Sequence, residues 1–131
     1  MRLVVDTSVI IAVLVDEASR SGLIEATRGK ALLAPASVHW EVGNAFTAML
    51  KKGRATVEQA LEALEAYGDI PIRFVDVPVS EAVALAGRFN LYAYDAYVLA
   101  CARALRAPIL SLDAGLVGVA REMALAVEEV P

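Results

Sequence analysis

Short β-prone runs separated by stretches of helical periodicity constrain this chain more than any other feature. Leu3–Val5, Ala31–Ala34, Arg73–Val77 and Ile109–Leu112 are too brief for buried helices and read as strands. Asp6, Pro35 and Asp113 stand at the carboxyl ends of three of them, and Pro108 opens the last. Between them, Asp6-Thr7-Ser8 turns into a first helix, with Thr7 or Ser8 as its N-cap. A second helix is expected over Glu17–Thr27, ended by Arg28-Gly29-Lys30, and a third from Ser37 to about Lys52. Thr56 with Gln59 three residues later forms a capping box for a fourth. Further helices are expected over Glu81–Phe89 (capped by Ser80, unless Pro78 moves the start), Tyr94–Leu105 and Leu116–Met123, with Leu125–Val127 as a final edge strand. Strands alternating with amphipathic helices predict a single α/β domain over residues 1–131, its mostly parallel central sheet covered on both faces.

Composition narrows the chemistry. Hydrophobic residues make up 58% of the 131, much of the excess being alanine, which suits close helix packing. No run approaches the roughly 18 apolar residues that span a membrane. Arg2 imitates the start of a signal peptide, but Asp6, Asp16 and Glu17 interrupt it, so the expected location is the cytoplasm. Cys101 stands alone, which excludes an internal disulfide, and its neighbours Ala100, Ala102 and Ala104 mark it as buried filler. With His39 the only histidine, neither a thiolate–imidazole zinc site nor a Ser-His-Asp triad is supported, and an exposed or packing role is expected for it. The chain has no glycine-rich dinucleotide or P-loop motif.

Four acids fall on segments where an unpaired charge is expensive: Asp6, Glu41, Asp95 and Asp113. Asp6 and Asp113 follow apolar strands, and parallel sheets collect ligands beyond the carboxyl ends of their strands. Glu41 lies beside a stripe formed by Val38, Val42, Ala45 and Met49, with no basic residue three or four places away. Asp95 occupies the first turn of its helix. Each has a structural alternative: Asp6, Asp95 and Asp113 as helix caps, Glu41 as a surface acid. Gathered together they need a cation, and hard carboxylate oxygens suit Mg²⁺ or Mn²⁺. Thr7, Asn44 and Ser111 are candidates to surround the site, with structural roles as their alternative.

The net charge is −4, but sixteen acidic residues less these four equal the twelve Lys and Arg, so the remaining surface is balanced. Substrate binding then depends on local patches, of which Lys51-Lys52-Arg54 is the clearest; a solvated helix end is its alternative. Arg88, Arg103 and Arg106 extend that track if they share its face, and Tyr92 and Tyr94 either stack on bases or pack.

Val4-Val5-Asp6-Thr7-Ser8, Glu41-Val42-Gly43-Asn44, Tyr94-Asp95-Ala96-Tyr97 and Ser111-Leu112-Asp113, in that order and spacing, resemble the PIN domain family, and within it the VapC-like toxin ribonucleases. The resemblance covers essentially the whole chain. It implies a three-layer α/β/α fold and Mg²⁺- or Mn²⁺-dependent endoribonuclease activity, with water activated by the metal cleaving RNA to a 5′-phosphate and a 3′-hydroxyl. By that match Asp6, Glu41, Asp95 and Asp113 are metal-binding and catalytic, with Thr7, Asn44 and Ser111 around them. It also implies a homodimer inhibited by a cognate antitoxin that itself binds operator DNA, with Leu61-Leu64 and Val9-Ile10-Val13 as interface candidates. Ala114-Gly115-Leu116-Val117-Gly118 lacks the additional acid or Asn that some members carry there, which counts against a complete second metal site. An RNA-processing nuclease outside a toxin–antitoxin pair and a catalytically silent RNA- or protein-binding module remain alternatives. A haloacid-dehalogenase phosphatase would need an acid where Ser8 stands, and a receiver domain would need a better phosphoacceptor than Asp76.

Overall fold

The computed structural model describes all residues from Met1 to Pro131. Its elements run β1 (Arg2–Val5), α1 (Thr7–Leu14), α2 (Arg20–Thr27), β2 (Ala31–Pro35), α3 (Ser37–Lys51), α4 (Val57–Asp69), β3 (Ile72–Val75), α5 (Val79–Phe89), α6 (Ala93–Leu105), β4 (Ile109–Leu110) and α7 (Ala114–Glu122). One sheet takes the order β3-β2-β1-β4 with every pairing parallel. Val4 lies opposite Leu33 on one side and Ile109 on the other, so β1 is central. Parallel neighbours need crossovers, and the helices supply them while covering the sheet in a three-layer α/β/α arrangement. No helix is long and apolar enough to cross a membrane.

Element ends depart from the sequence reading where particular hydrogen bonds take over. Asp6, rather than Thr7 or Ser8, is the N-cap of α1. The segment from Glu17 does not begin α2: Asp16 adopts φ +56° and the Glu17 N–H donates to Ala12 O at 2.9 Å, closing the end of α1. β3 stops at Val75 because its partner β2 ends at Pro35, and the Val75 carbonyl accepts from the Ala36 N–H instead. Pro78, not Ser80, starts α5, its carbonyl accepting from the Glu81 and Ala82 amides. The α7 helix begins at Ala114 because Asp113 caps it. Thr56 and Gln59 do form the expected capping box. In place of an edge strand at Leu125–Val127 there is a single parallel bridge, Ile109 to Val127.

Leu3, Val4, Leu23, Leu99, Ile109 and Leu110 are completely shielded or nearly so, interleaved with buried Ala12, Ala34, Ala96, Ala100 and Ala102. On α3 the buried seam is Val38, Val42 and Phe46, while Ala45 and Met49 are only partly covered. Glu41 therefore flanks the seam instead of facing solvent. Alanines on α6 let that helix pack directly on β1 and β2, which fixes the position of Asp95 relative to Asp6. Leu99→Ala is expected to destabilise the fold by about 2–5 kcal/mol through reduced burial and the cavity left behind. A denaturant midpoint unchanged within about 0.5 kcal/mol would show that this part of the core is not tightly packed.

Candidate active site

The carboxyl edge of the sheet is built around Asp6, which is only 7% exposed. Its Oδ1 accepts from Ser8 Oγ at 2.6 Å and from the Val9 N–H at 3.4 Å, and its Oδ2 accepts from Ser111 Oγ at 2.6 Å. The two hydroxyls accept in turn: Ser8 Oγ from the Leu112 N–H and Ser111 Oγ from the Asp113 N–H, both at 3.0 Å. These hydrogen bonds explain why β4 ends at Leu110 and not at Leu112, as the sequence led us to expect: the next amides leave the ladder to tie the β1 and β4 ends together. Ser8 thus orients Asp6, a part equally open to Thr7 from sequence. The distinguishing signal is helix phase, since a residue two beyond an N-cap turns back toward the cap carboxylate.

Asp113 Oδ1 accepts from the Gly115 and Leu116 amides at 2.9 and 3.1 Å, so its capping role is real, and it leaves Oδ2 uncommitted. Glu41 stands on the second turn of α3, and Asp95 is the third residue of α6. Burial pushes the Glu41 carboxyl up to about 7, with the charges of Asp6 and Asp95 adding to the rise. Burial likewise raises Asp95, followed by the charges of Asp113 and Asp6. Asp6 is raised by burial first, against hydrogen bonds from Ser111, Ser8 and Val9, with the Asp113 charge contributing. The acids therefore share one electrostatic field although they come from distant parts of the chain.

No Lys or Arg forms an ion pair with any of these carboxylates; the ion pairs are Arg20–Asp16, Arg28–Glu25, Lys30–Glu128 and Arg121–Glu129. Thr7 Oγ1, beside Glu41, is buried and completes no hydrogen bond of ordinary geometry, although its proximity holds the Glu41 carboxyl down in part. No three acids converge closely enough to form a ready ligand set. The donor chemistry nevertheless fits a hard divalent cation: oxygen atoms only, spare lone pairs on every carboxylate, and like charges with no protein counter-charge. Asn44, one turn after Glu41, is exposed and makes no side-chain hydrogen bond.

Elsewhere the structure sorts the remaining candidates. Lys51, Lys52 and Arg54 are exposed and unpaired at the end of α3, with Lys51 about 15 Å along the helix axis from Glu41. Arg88 and Arg103 line one cleft, and Arg103 and Arg106 an adjoining one, to which the Lys51 cluster contributes nothing. His39 packs: its ring stacks on Tyr67 at 5.7 Å, and its Nδ1 lies 3.1 Å from the Tyr67 hydroxyl. Cys101 is buried, and burial raises its thiol to about 11, so it is inert filler. Of the interface candidates, Val9 and Ile10 belong to the core and Val13 and Leu64 pack partly against it, which leaves Leu61 exposed on α4, with Val57 exposed near it.

This chain is a member of the PIN domain family, whose model matches residues 3–122, from within β1 to the end of α7. Solved structures share the fold. PAE2754 from Pyrobaculum aerophilum superposes with a TM-score of 0.65 at 20% identity, covering 90% of this chain and 85% of its own. VapC20 of Mycobacterium tuberculosis, a toxin that cleaves the sarcin–ricin loop, gives 0.67 at 16% identity, covering 98% and 99%. VapBC2 from Rickettsia felis, solved on a DNA fragment from its promoter, gives 0.67 at 13% identity, covering 98% of each chain. No curated protein sequence matches significantly.

Proposed function

We propose that this chain is a Mg²⁺- or Mn²⁺-dependent endoribonuclease, the toxin of a type II toxin–antitoxin pair. One observation carries the reading: Asp6 at the β1 end, Glu41 on α3 and Asp95 on α6 are raised first by burial and then by neighbouring carboxylates, Asp113 at the β4 end among them, and no cationic side chain pairs with any of the four. Asp6, Glu41, Asp95 and Asp113 are the residues that would hold the ion. When bound, a divalent ion supplies Lewis acidity at the scissile phosphate and lowers the cost of bringing an anionic substrate to an acidic site. Ser8 and Ser111 keep Asp6 from rotating, and the Asp113 cap ties its carboxylate to the α7 amides, so two of the acids are fixed before substrate arrives. Water attacks phosphorus, the bond to the 3′ oxygen breaks, and that oxygen takes a proton, leaving a 5′-phosphate and a 3′-hydroxyl.

The VapC20 and VapBC2 likenesses, over nearly the full length of each chain, support placing the activity in a toxin with an antitoxin partner, and operator DNA would be met only through that partner. The exposed Val57 and Leu61 on α4 are the candidate homodimer surface. The cytoplasm, where RNA and antitoxin are both present, is the site of action in this reading. Induced expression should arrest growth, the arrest should disappear with Asp95→Asn, and the RNA fragments should carry 5′-phosphates. Full growth with intact RNA at high protein levels would refute the toxin assignment.

Lys51, Lys52 and Arg54 are assigned to the RNA backbone. Replacing all three by Ala is expected to weaken single-stranded RNA binding and to flatten its salt dependence by about 0.7 in log–log slope for each phosphate no longer neutralised. An unchanged slope would return the patch to ordinary surface.

A further inference from the structure

Beside the carboxylates, along the same edge of the sheet, lies a cavity of ≈ 300 Å³ that the nuclease reading leaves without a role. Pro35 from the end of β2 and Asp76 and Val77 just beyond β3 form one side; Ser37 and Trp40 from α3 and Tyr97 from α6 complete it. It shares α3 and α6 with the acids: Ser37 lies one turn before Glu41, whereas Trp40 and Tyr97, one residue from Glu41 and two from Asp95, project from other sides of those helices.

Three properties define what this cavity takes. Trp40 is 62% exposed although it is the chain's only tryptophan, and its indole face is left for a ligand. His39 packs edge-on against that ring at 6.2 Å and is itself stacked on Tyr67. The Asp76 carboxylate forms no ion pair and no side-chain hydrogen bond, so it is an acceptor waiting for N–H donors. Ser37, which lines the cavity, has a buried Oγ without a hydrogen-bond partner. An aromatic wall with a carboxylate at its rim is the chemistry that binds an unstacked base by its face and its Watson–Crick edge.

We infer that this cavity is a nucleobase subsite of the RNA site and that it selects guanine, whose adjacent N1–H and N2–H donors match the two oxygens of Asp76 while the ring stacks on Trp40. Uracil offers one N–H between two carbonyls that a carboxylate repels. Trp40, Tyr97 and Asp76 are therefore specificity residues for the base next to the scissile phosphate. This rests on the nuclease reading for its biological sense, yet the subsite is measurable without cleavage.

Because Trp40 is the only tryptophan, fluorescence excited at the long-wavelength edge of indole absorption, where the four tyrosines are not excited, reports this cavity. Guanosine and uridine, both uncharged and so not repelled by the acids, are titrated into the full chain in EDTA. Guanosine should quench Trp40 saturably and bind at least about tenfold more tightly than uridine, the discrimination of one good bidentate pair. Asp76→Asn, an exposed substitution that should leave the melting temperature unchanged, should bring the two nucleosides within about twofold while quenching persists. Equal binding of both by the parent protein, or no saturable quenching up to the solubility limit of guanosine, would overturn the subsite. The nuclease reading would survive either result if metal-dependent cleavage were seen. Selective quenching without cleavage would instead keep the subsite and sink the nuclease.

Discussion

Asp95→Asn is expected to slow metal-dependent RNA cleavage by about a thousandfold, because the Lewis acid it helps to hold is worth several kcal/mol in the transition state. Asp95 is the acid best suited to this test. Asp6 accepts from two serine hydroxyls and caps α1, and Asp113 caps α7, so changing either disturbs the fold as well as the charge. The Asp95 carboxylate makes no side-chain hydrogen bond, and an amide of the same shape removes one charge from the cluster and little else. The melting temperature should hold or rise as repulsion is relieved. Activity within tenfold of the parent, measured at matched metal concentration, would remove Asp95 from the site.

The second large effect is a reversal of the usual pH dependence of stability. The ordinary Glu41 carboxyl titrates near 4.5, but in the fold burial, helped by the charges of Asp6 and Asp95, lifts it to about 7. The folded chain then keeps a proton that the unfolded chain has released. The resulting stabilisation is complete below pH 4.5 and is lost as the pH rises through about 7, opposite in sign to a salt-bridged carboxylate. Asp6 and Asp95 are raised as well and add to the same slope. In EDTA the melting temperature should therefore fall between pH 5 and 8. Glu41→Gln should flatten that fall and exceed the parent protein at pH 8. Excess Mn²⁺ should raise the parent's melting temperature more at pH 8 than at pH 5.5, since the ion must displace the bound protons at the lower pH. Parallel profiles for the parent and Glu41→Gln would show that Glu41 is solvated and outside the cluster.

Much of this architecture was legible in the residues because strand length and helix period are local signals. Leu3–Val5 and Ala31–Ala34 appear as strands, and the Thr56–Gln59 box lies where its spacing places it. The parallel pairing also followed, since strands separated by helices have few other arrangements, but the order β3-β2-β1-β4 did not. Errors gathered where a distant group competes for a backbone amide. Nothing local tells Leu112 that its N–H will donate to Ser8, or Glu17 that it will close α1 instead of opening α2. The acids stand out by their apolar settings, but that Ser8 and not Thr7 donates to Asp6 required the phase of α1. The arginines posed the same problem: Arg88, Arg103 and Arg106 share clefts with one another, a matter of helix crossing that charge patterning does not report. Trp40 was overlooked because an exposed tryptophan is conspicuous only once burial is known.

The central claim is that these unpaired carboxylates form a divalent-cation site, and it can be tested without knowing the RNA target. Free Mn²⁺, followed by its electron paramagnetic resonance signal, is titrated against the purified chain and against Asp95→Asn at pH 8. The account predicts saturable uptake by the parent, competed by Mg²⁺ and at least tenfold weaker in the variant, about 1.4 kcal/mol or more for the missing ligand. Uptake that is absent from the parent, or identical in the two proteins, would contradict it.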